Sequence, residues 1–372
     1  MTKKLHILFL TRKDPLHPKA GGAERIILEY ARYLVRAGHK VTWFWPIFPG
    51  ANKEEQYEWI SIMRKYNSST IYLFGWLWYL PFIRQHHIDI VVDEAGGIPL
   101  LSALFAPKVK KIFFIHHIPD KERYFFFGKP LAYMAKKIFS WILLLYKKVP
   151  TVCVSQSTSD ELLSLWWGGK TTYVIPNTID KQAPILHPKM HKILFMNRLV
   201  PIKRVEDAVV AFSIFAKSHP DYTLDIRGKH QDMSYIQKIK NIIYAYKLDD
   251  KIFLKGLYST SEIQWILSEY MFQIVTSYKE WFGLVVLEWN LHGVPAIAYN
   301  VPGLCDSVVP GTNGILVPDA DIAGLANTLA YYCDNKDMYA KLVQNTLEHI
   351  AHLPSRSDQG KKFLDVINMH VK

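Results

Sequence analysis

Short apolar runs and helical patterns alternate along nearly the whole chain, and the series begins twice. KLHILFL, with residues 5–10 read as a buried first strand, is followed by a loop and then by ERIILEYARYLVRAGHKVTWFW. There Ile26, Ile27, Tyr30 and Leu34 recur at helical spacing, Gly38 stops the helix, and residues 41–45 read as a strand. IDIVVDEA, KKIFFIHHIP and TVCVSQS read as further buried strands. VIPNTIDKQAPILHPKMH then holds three prolines and little periodicity, which places a linker near residues 178–191. After it come KILFMNRL, YTLDIRG, KIFLKG, MFQIVTS, VPAIAYN and GILVPD, a second strand series. Strand–helix–strand alternation implies parallel sheets with helices on both faces, so the expected class is α/β with two consecutive parallel-sheet domains. The length of 372 residues agrees with two domains rather than one. In open sheets of this kind ligands bind beyond the carboxyl ends of the strands, and two such domains facing each other would make a cleft.

The net charge of +12 is unevenly placed. Residues 1–187 hold 25 Lys and Arg against 14 Asp and Glu, whereas residues 188–372 hold 20 against 19. Eight of the 11 tryptophans also lie in the first half. A basic, aromatic-rich half points to an anionic partner: nucleic acid, a phosphorylated substrate or a membrane surface. Cys153, Cys305 and Cys333 are an odd number at wide spacing, which fits neither a disulfide framework nor a zinc site. Buried thiols in a reducing compartment are expected. The N-terminal apolar run is too short for a signal peptide, and no run reaches the ~18 apolar residues of a membrane span.

The stretch most telling for chemistry is EWFGLVVLE, residues 280–288. It follows the strand MFQIVTS, and a helical pattern runs over 282–292 until glycine and proline stop it at HGVP. Glu280 then lies in the loop before a helix and Glu288 inside it, a rise of roughly 7.5 Å beyond Gly283. Free amides around Gly283, Leu284 and Val285 would favour an anion, and glycine would let it approach the backbone. By spacing alone, a surface glutamate and an unrelated helix glutamate remain an open alternative.

EWFGLVVLEWNLHGVPAIA resembles the E-x7-E signature of glycosyltransferase family 4, a retaining family with the two-domain GT-B fold. Further stretches are similar to the family pattern in order. GGAER at 21–25 resembles its N-terminal glycine loop, FFIHHIP its strand-end histidine at His116, and VSQSTSDELL its serine-containing turn. VIPNTID resembles I-P-N-G-V-D, MNRLVPIKRV resembles G-R-L-x-x-x-K-G through Arg198 and Lys203, and GTNGILVPDAD resembles its late glycine motif.

The resemblance implies a GT-B enzyme of two Rossmann-like domains facing a cleft. Residues 1–185 would be the acceptor domain, with a C-terminal helix in 352–372 packing back on it, and 186–351 the nucleotide-sugar donor domain. It implies catalytic roles for His116, Glu280, Arg198 and Lys203. Arg198 and Lys203 would offset charge on a leaving diphosphate, and Glu280 and His116 would contact the donor sugar. Gly21, Gly22, Trp281, Phe282, Gly283, Leu284 and Val285 would line the donor site, with Glu288 on the ribose hydroxyls. No cofactor or metal is implied; a nucleotide-diphosphate sugar is the co-substrate, a UDP-sugar in preference to a GDP-sugar. A His116–His117 metal pair is disfavoured because adjacent strand residues do not share a face. In the implied mechanism the acceptor attacks from the face of the leaving diphosphate, which takes its proton, unlike the two-carboxylate hydrolase scheme.

The chain departs from the family pattern in places. Arg204 stands where glycine usually follows the lysine, Asp306 in PGLCDSV stands for a glutamate, Gly228 is alone in IRGKH, and Trp281 replaces a small residue. These departures bear on donor identity rather than fold.

KPLAYMAKKIFSWILLLYKK, residues 129–148, reads as a basic amphipathic helix. At 100° per residue Lys129, Lys136 and Lys147 cluster within about 20°. Leu131, Met134, Ile138, Trp141, Ile142 and Leu145 fall on the opposite arc. An interfacial membrane helix and a core helix with a solvated lysine face are both compatible with this pattern. With the family's many lipid-linked acceptors, the expectation is a cytoplasmic protein, peripheral on the cytoplasmic face of an anionic membrane. It would transfer sugar to a lipid-linked sugar or glycolipid in glycan or polysaccharide synthesis. The alternative is a soluble transferase or sugar-phosphate synthase with a small or phosphorylated acceptor. Nucleic acid is not an expected partner, since no recognition module is present.

Overall fold

The computed structural model describes residues 3–18, 20–68, 70–118, 129–166, 172–181, 183, 187–230, 232–257 and 267–371. The chain divides into two compact units, residues 1–177 with 356–372, and residues 178–355.

The first unit carries an eight-stranded sheet in the order β3-β4-β2-β1-β5-β6-β7-β8. Its strands are β1 (His6–Leu10), β2 (Lys40–Trp45), β3 (Glu54–Tyr57), β4 (Ile60–Arg64), β5 (Ile90–Ala95), β6 (Lys111–Ile115), β7 (Thr151–Cys153) and β8 (Thr172–Val174). All pairs are parallel except β3 with β4. β1, β5 and β6 are buried along their whole length, as central strands of a parallel sheet covered on both faces are. The helix Gly22–Arg36 buries Ile27, Leu28, Tyr30, Ala31 and Leu34 and ends at Gly38, whose φ of +90° suits glycine.

The helix Arg356–Val371 belongs to this first unit although it follows the second in sequence. Phe363, Val366 and Ile367 enter the core shared by β1, β5 and the helix Gly22–Arg36. A Cβ on Gly360 would lie 2.3 Å from Tyr33 Cγ, so glycine there lets the two helices close.

The second unit has a six-stranded, wholly parallel sheet in the order β11-β10-β9-β12-β13-β14. These strands are β9 (Lys192–Met196), β10 (Thr223–Arg227), β11 (Ile252–Leu254), β12 (Phe272–Val275), β13 (Ala296–Tyr299) and β14 (Gly314–Val317). The order steps outward from the β9–β12 junction in both directions, the switch point beside which such sheets bind ligands.

The structure departs from the sequence reading at several points. The antiparallel hairpin β3–β4 was not anticipated. The helix after Gly283 spans Leu284–Asn290, shorter than the 282–292 expected, because Leu291 begins a turn closed by Gly293. Cys153 is buried and its thiol is pushed up to about 12 by burial, but Cys305 is exposed and Cys333 half-buried, which corrects the expectation of buried thiols. No helix among the described residues is long and apolar enough to cross a membrane.

Candidate active site

In the second unit the chain leaves β9 at Asn197 and leaves β12 at Thr276, on neighbouring strands. The two connections are stitched together. Thr276 Oγ1 donates to the carbonyls of Lys203 (3.0 Å) and Arg204 (2.7 Å), and Tyr278 N–H donates to Ile202 (3.0 Å). This brings Lys203, at the end of a short 3-10 turn, against Glu280. Lys203 Nζ donates to Glu280 Oε1 at 2.5 Å, and Ser277 Oγ (2.7 Å) and Asn197 Nδ2 (2.9 Å) donate to the same oxygen. Burial pushes the Glu280 carboxyl up, but the charge of Lys203 and the three hydrogen bonds outweigh it and hold the group below the usual carboxylate range. The result is a charged carboxylate fixed in one place with one oxygen saturated.

The loop that carries Glu280 is pinned from outside by glycines. Glu280 N–H donates to Pro302 at 3.0 Å, and a Cβ on Gly303 (φ +85°) would lie 2.2 Å from the Glu280 carbonyl oxygen. Gly283 adopts φ +76°, and a Cβ there would lie 2.6 Å from Ser307 Oγ. Both positions therefore require glycine on two counts, conformation and space. Next to Gly283, the backbone amides of Leu284 and Val285 make no hydrogen bond among the described residues. Asp306, the shortened acid of the sequence reading, accepts from Gly303 N–H at 3.2 Å and so caps the neighbouring turn.

Other residues singled out from the sequence lie in the same unit. Arg198 is exposed at the end of β9, its backbone N–H held by Asn197 Oδ1 at 2.9 Å. Glu288 lies on the exposed side of the helix Leu284–Asn290, and Trp281 is partly exposed before it. The Phe282 side chain instead enters an apolar cluster with Ile179, Leu287 and Ile350, which takes it away from the expected donor lining. Leu284 and Val285 are likewise packed against apolar clusters. Arg204 adopts a left-handed φ of +46°, the conformation for which glycine is the usual choice. Its guanidinium pairs with Asp319 at 2.6 Å and lies 5.0 Å from the Tyr278 ring centre, so it is a tethered cation rather than a loose surface residue. Gly228 cannot carry a side chain, since a Cβ would fall 1.7 Å from the Asn197 carbonyl oxygen.

In the first unit the predicted residues occupy carboxyl ends of strands. Gly21 and Gly22 begin the helix Gly22–Arg36; Gly21 N–H is held by Glu24 Oε2 at 2.7 Å, and Glu24 pairs with Lys13 at 3.6 Å. His116 follows β6, is wholly buried, and sets Nε2 3.3 Å from Glu94 Oε1. His117 is buried too. Ser155 caps the helix Gln156–Leu165 by accepting from Thr158 N–H at 3.2 Å. Among the described residues no group of three or more His, Cys, Asp or Glu could hold a metal ion.

Sequence reasoning missed Asn197, Ser277 and Glu94. Asn197 stands where the family pattern has glycine before the arginine, which was the one available signal.

The helix Lys129–Leu145 corrects its expected arcs. Phe139, Ile142 and Leu143 face the core, while Met134, Ile138 and Trp141, assigned to one apolar arc with Ile142, are exposed beside Lys137. Lys137 Nζ lies 4.7 Å from the Tyr133 ring centre. The side chains of Lys129, Leu131 and Lys136 lie outside the described residues.

Residues 177–349 match the family described as glycosyl transferases group 1, and residues 20–183 match glycosyltransferase family 4. The poly(glycerol-phosphate) alpha-glucosyltransferase of Bacillus subtilis is 28% identical over 208 residues, 55% of this chain and 30% of that protein, so the chain spans under a third of that relative's length. Sucrose-phosphate synthase from Thermosynechococcus elongatus superposes with a TM-score of 0.79 at 17% identity over 99% of both chains. HepE of Anabaena, solved in complex with UDP-glucose, superposes with a TM-score of 0.75 at 17% identity over 98% of this chain and 100% of that one. The two family matches run almost end to end and the fold agrees along the whole chain: the protein belongs to the group 1 / family 4 glycosyltransferases and has their GT-B fold.

Proposed function

We propose that the protein is a retaining, metal-independent hexosyltransferase that takes its sugar from a nucleotide-diphosphate sugar, a UDP-sugar in preference to a GDP-sugar. The observation that carries this reading is the Asn197–Lys203–Ser277–Glu280 cluster beside the start of the helix Leu284–Asn290. A carboxylate held charged and fixed can receive sugar hydroxyls without reorganising, which is the economical way to bind a polar ring. Lys203, Arg198 and the amides after Gly283 supply positive potential for the diphosphate. Glu288 takes the ribose hydroxyls, and His116 and Gly22 serve from the first unit, which takes the acceptor.

The acceptor we propose is a lipid-linked sugar or glycolipid, used at the cytoplasmic face of an anionic membrane. The support is the surface of the first unit. Exposed Met134, Ile138 and Trp141 share a helix with exposed Lys137, and the helix Ile71–Gln85 exposes Leu73, Phe74 and Leu77. Neither helix, nor Ser102–Phe105 between them, contains a carboxylate. The three lie on connections that advance in one direction across the sheet, and right-handed crossovers put such helices on one face. Three acid-free helices with apolar and basic groups suit an anionic bilayer, where each nearby lysine contributes about 1 kcal/mol; the fourth helix of that face, Gln156–Leu165, carries Asp160 and Glu161.

The test is thermal shift with UDP, GDP, ADP and CMP at equal concentration, followed by flotation with anionic liposomes. A diphosphate at a hundred times its Kd raises stability by about 2.7 kcal/mol. A response to UDP alone supports the donor assignment, and no response to any nucleotide refutes it. Binding of UDP without flotation at low salt leaves the soluble small-acceptor alternative in place of the membrane.

A further inference from the structure

We propose that Glu94 is a positioning residue: it orients the His116 imidazole and keeps a proton on Nε2, so that the ring meets the donor sugar in a single state. The inference rests on the assignment of His116 to the donor sugar made above, and adds a residue outside every motif that led to that assignment.

The geometry is built for this pair. Glu94 is the penultimate residue of β5 and His116 follows the last residue of β6, and the two strands are in register with Ala95 opposite Ile115. Both side chains are buried, with Glu94 Oε1 3.3 Å from His116 Nε2. The approach is an ion-pair contact rather than an aligned hydrogen bond; a buried carboxylate this close still favours the ring proton on the nitrogen that faces it. The other carboxylate oxygen is held from the loop after β1: Arg12 N–H lies 3.4 Å from Glu94 Oε2.

The sequence around Glu94 makes room for the carboxylate. In DEAGG a Cβ on Gly96 would lie 2.6 Å from Glu94 Oε1, the oxygen that faces His116. A Cβ on Gly97 would lie 3.2 Å from Arg12 Nη1. The preceding acid, Asp93, is occupied elsewhere: it accepts from Tyr146 Oη and from the N–H groups of Leu100 and Ser102, tying down the following loop. Of two consecutive buried carboxylates, one has a scaffold duty that accounts for it. The other has an imidazole and a glycine cleared for it.

The ring itself is braced. The Phe114 ring centre lies 5.1 Å from that of His116, and Thr158 Oγ1 lies 3.5 Å from the His116 carbonyl oxygen. Loss of the carboxylate then leaves the socket intact but the rotation of the ring within it unset, and misplacement of a reacting-site group by about 1 Å can cost on the order of a hundred-fold in rate.

The test uses the full-length protein with Glu94→Ala, Glu94→Gln, His116→Ala and the Glu94→Ala/His116→Ala double variant. The first readout is the 15N spectrum of histidine-labelled protein. Wild type is expected to show His116 with Nε2 protonated, Glu94→Ala a mixture of tautomers, and the isosteric Glu94→Gln the wild-type state. An unchanged His116 spectrum in Glu94→Ala overturns the proposal. The second readout is UDP release from UDP-glucose. Glu94→Ala is expected to lower kcat by about a hundred-fold with KM within about two-fold, and Glu94→Gln to recover part of the loss. The double variant is expected to match His116→Ala, since residues acting through one another are not additive. Additive losses overturn the proposal, whereas absence of UDP binding in wild type overturns the donor assignment and leaves the tautomer result standing by itself.

Discussion

Lys203 Nζ and Glu280 Oε1 lie 2.5 Å apart, both largely withdrawn from water, so each charge is the other's main compensation inside the second unit. Removing one partner of such a pair leaves the other charge buried and uncompensated. Lys203→Met is therefore expected to lower stability by about 3–5 kcal/mol and to weaken UDP binding as well. Chemical denaturation with and without UDP measures both; a variant as stable as wild type would show that the pair is solvated.

The same pair has a pH signature. The Glu280 carboxyl in the folded protein is held below 4.5, its ordinary value. A depressed carboxylate contributes stability that is fully present above the unfolded value and is lost as pH falls through the folded one. Wild type should lose stability relative to Glu280→Gln only below 4.5, with the difference constant at neutral pH. Unfolding free energies measured in steps from pH 7 to pH 3 check this (about four pH units). A difference that changes between pH 5 and 7 contradicts it.

Gly303→Ala probes the loop rather than the charge. Its Cβ would meet the Glu280 carbonyl oxygen at 2.2 Å, in a backbone conformation that already disfavours alanine. We expect a loss of more than about 1 kcal/mol and a larger proportional loss of UDP-sugar turnover, because Glu280 must shift. Melting temperature and turnover on the same preparation separate the two effects. Equal turnover would mean that the position of Glu280 is not critical.

On the first unit, Trp141→Glu and Ile138→Glu change exposed residues and should leave the melting temperature within about 1 °C, consistent with surface changes of under about 0.5 kcal/mol. Both should abolish flotation with anionic liposomes at low salt. Retained flotation would move the membrane contact off this helix.

Phe363→Ala tests the helix Arg356–Val371. Phe363 is wholly buried and its ring centre lies 4.8 Å from that of Tyr30 and 6.3 Å from that of Phe9. Its truncation should cost about 3–5 kcal/mol. Calorimetry is expected to show the loss; a cost under about 1 kcal/mol would mean the helix is not integral to the core.

What the sequence made legible was whatever a single segment encodes. The strands, the position of Gly38, and the placement of Glu280 before a helix and Glu288 on it follow from local periodicity and turn residues. The hairpin β3–β4 escaped because its turn is Glu58-Trp59, both with positive φ, where the usual Asn-Gly or Asp-Gly signal is missing. Asn197 and Ser277 escaped because their meeting with Glu280 depends on two loops brought together by Thr276 and Tyr278, a relationship between segments. Glu94 escaped for a related reason. In the sequence it is one of two acids inside a strand, and only the register of β5 against β6 gives it a partner.

The division of the chain has a consequence for how the protein is made. The second unit is contiguous, so the whole of it is synthesised before the helix that closes the first. The first unit cannot be completed earlier, because Phe363, Val366 and Ile367 fill its core and emerge only after the whole of the second. The half synthesised first is thus completed last, and until then it carries an open apolar groove along Tyr30 and Phe114. A nascent chain in that interval is a natural client for chaperones, and a ribosome stalled inside residues 178–355 would hold an earlier unit that still lacks its closing helix.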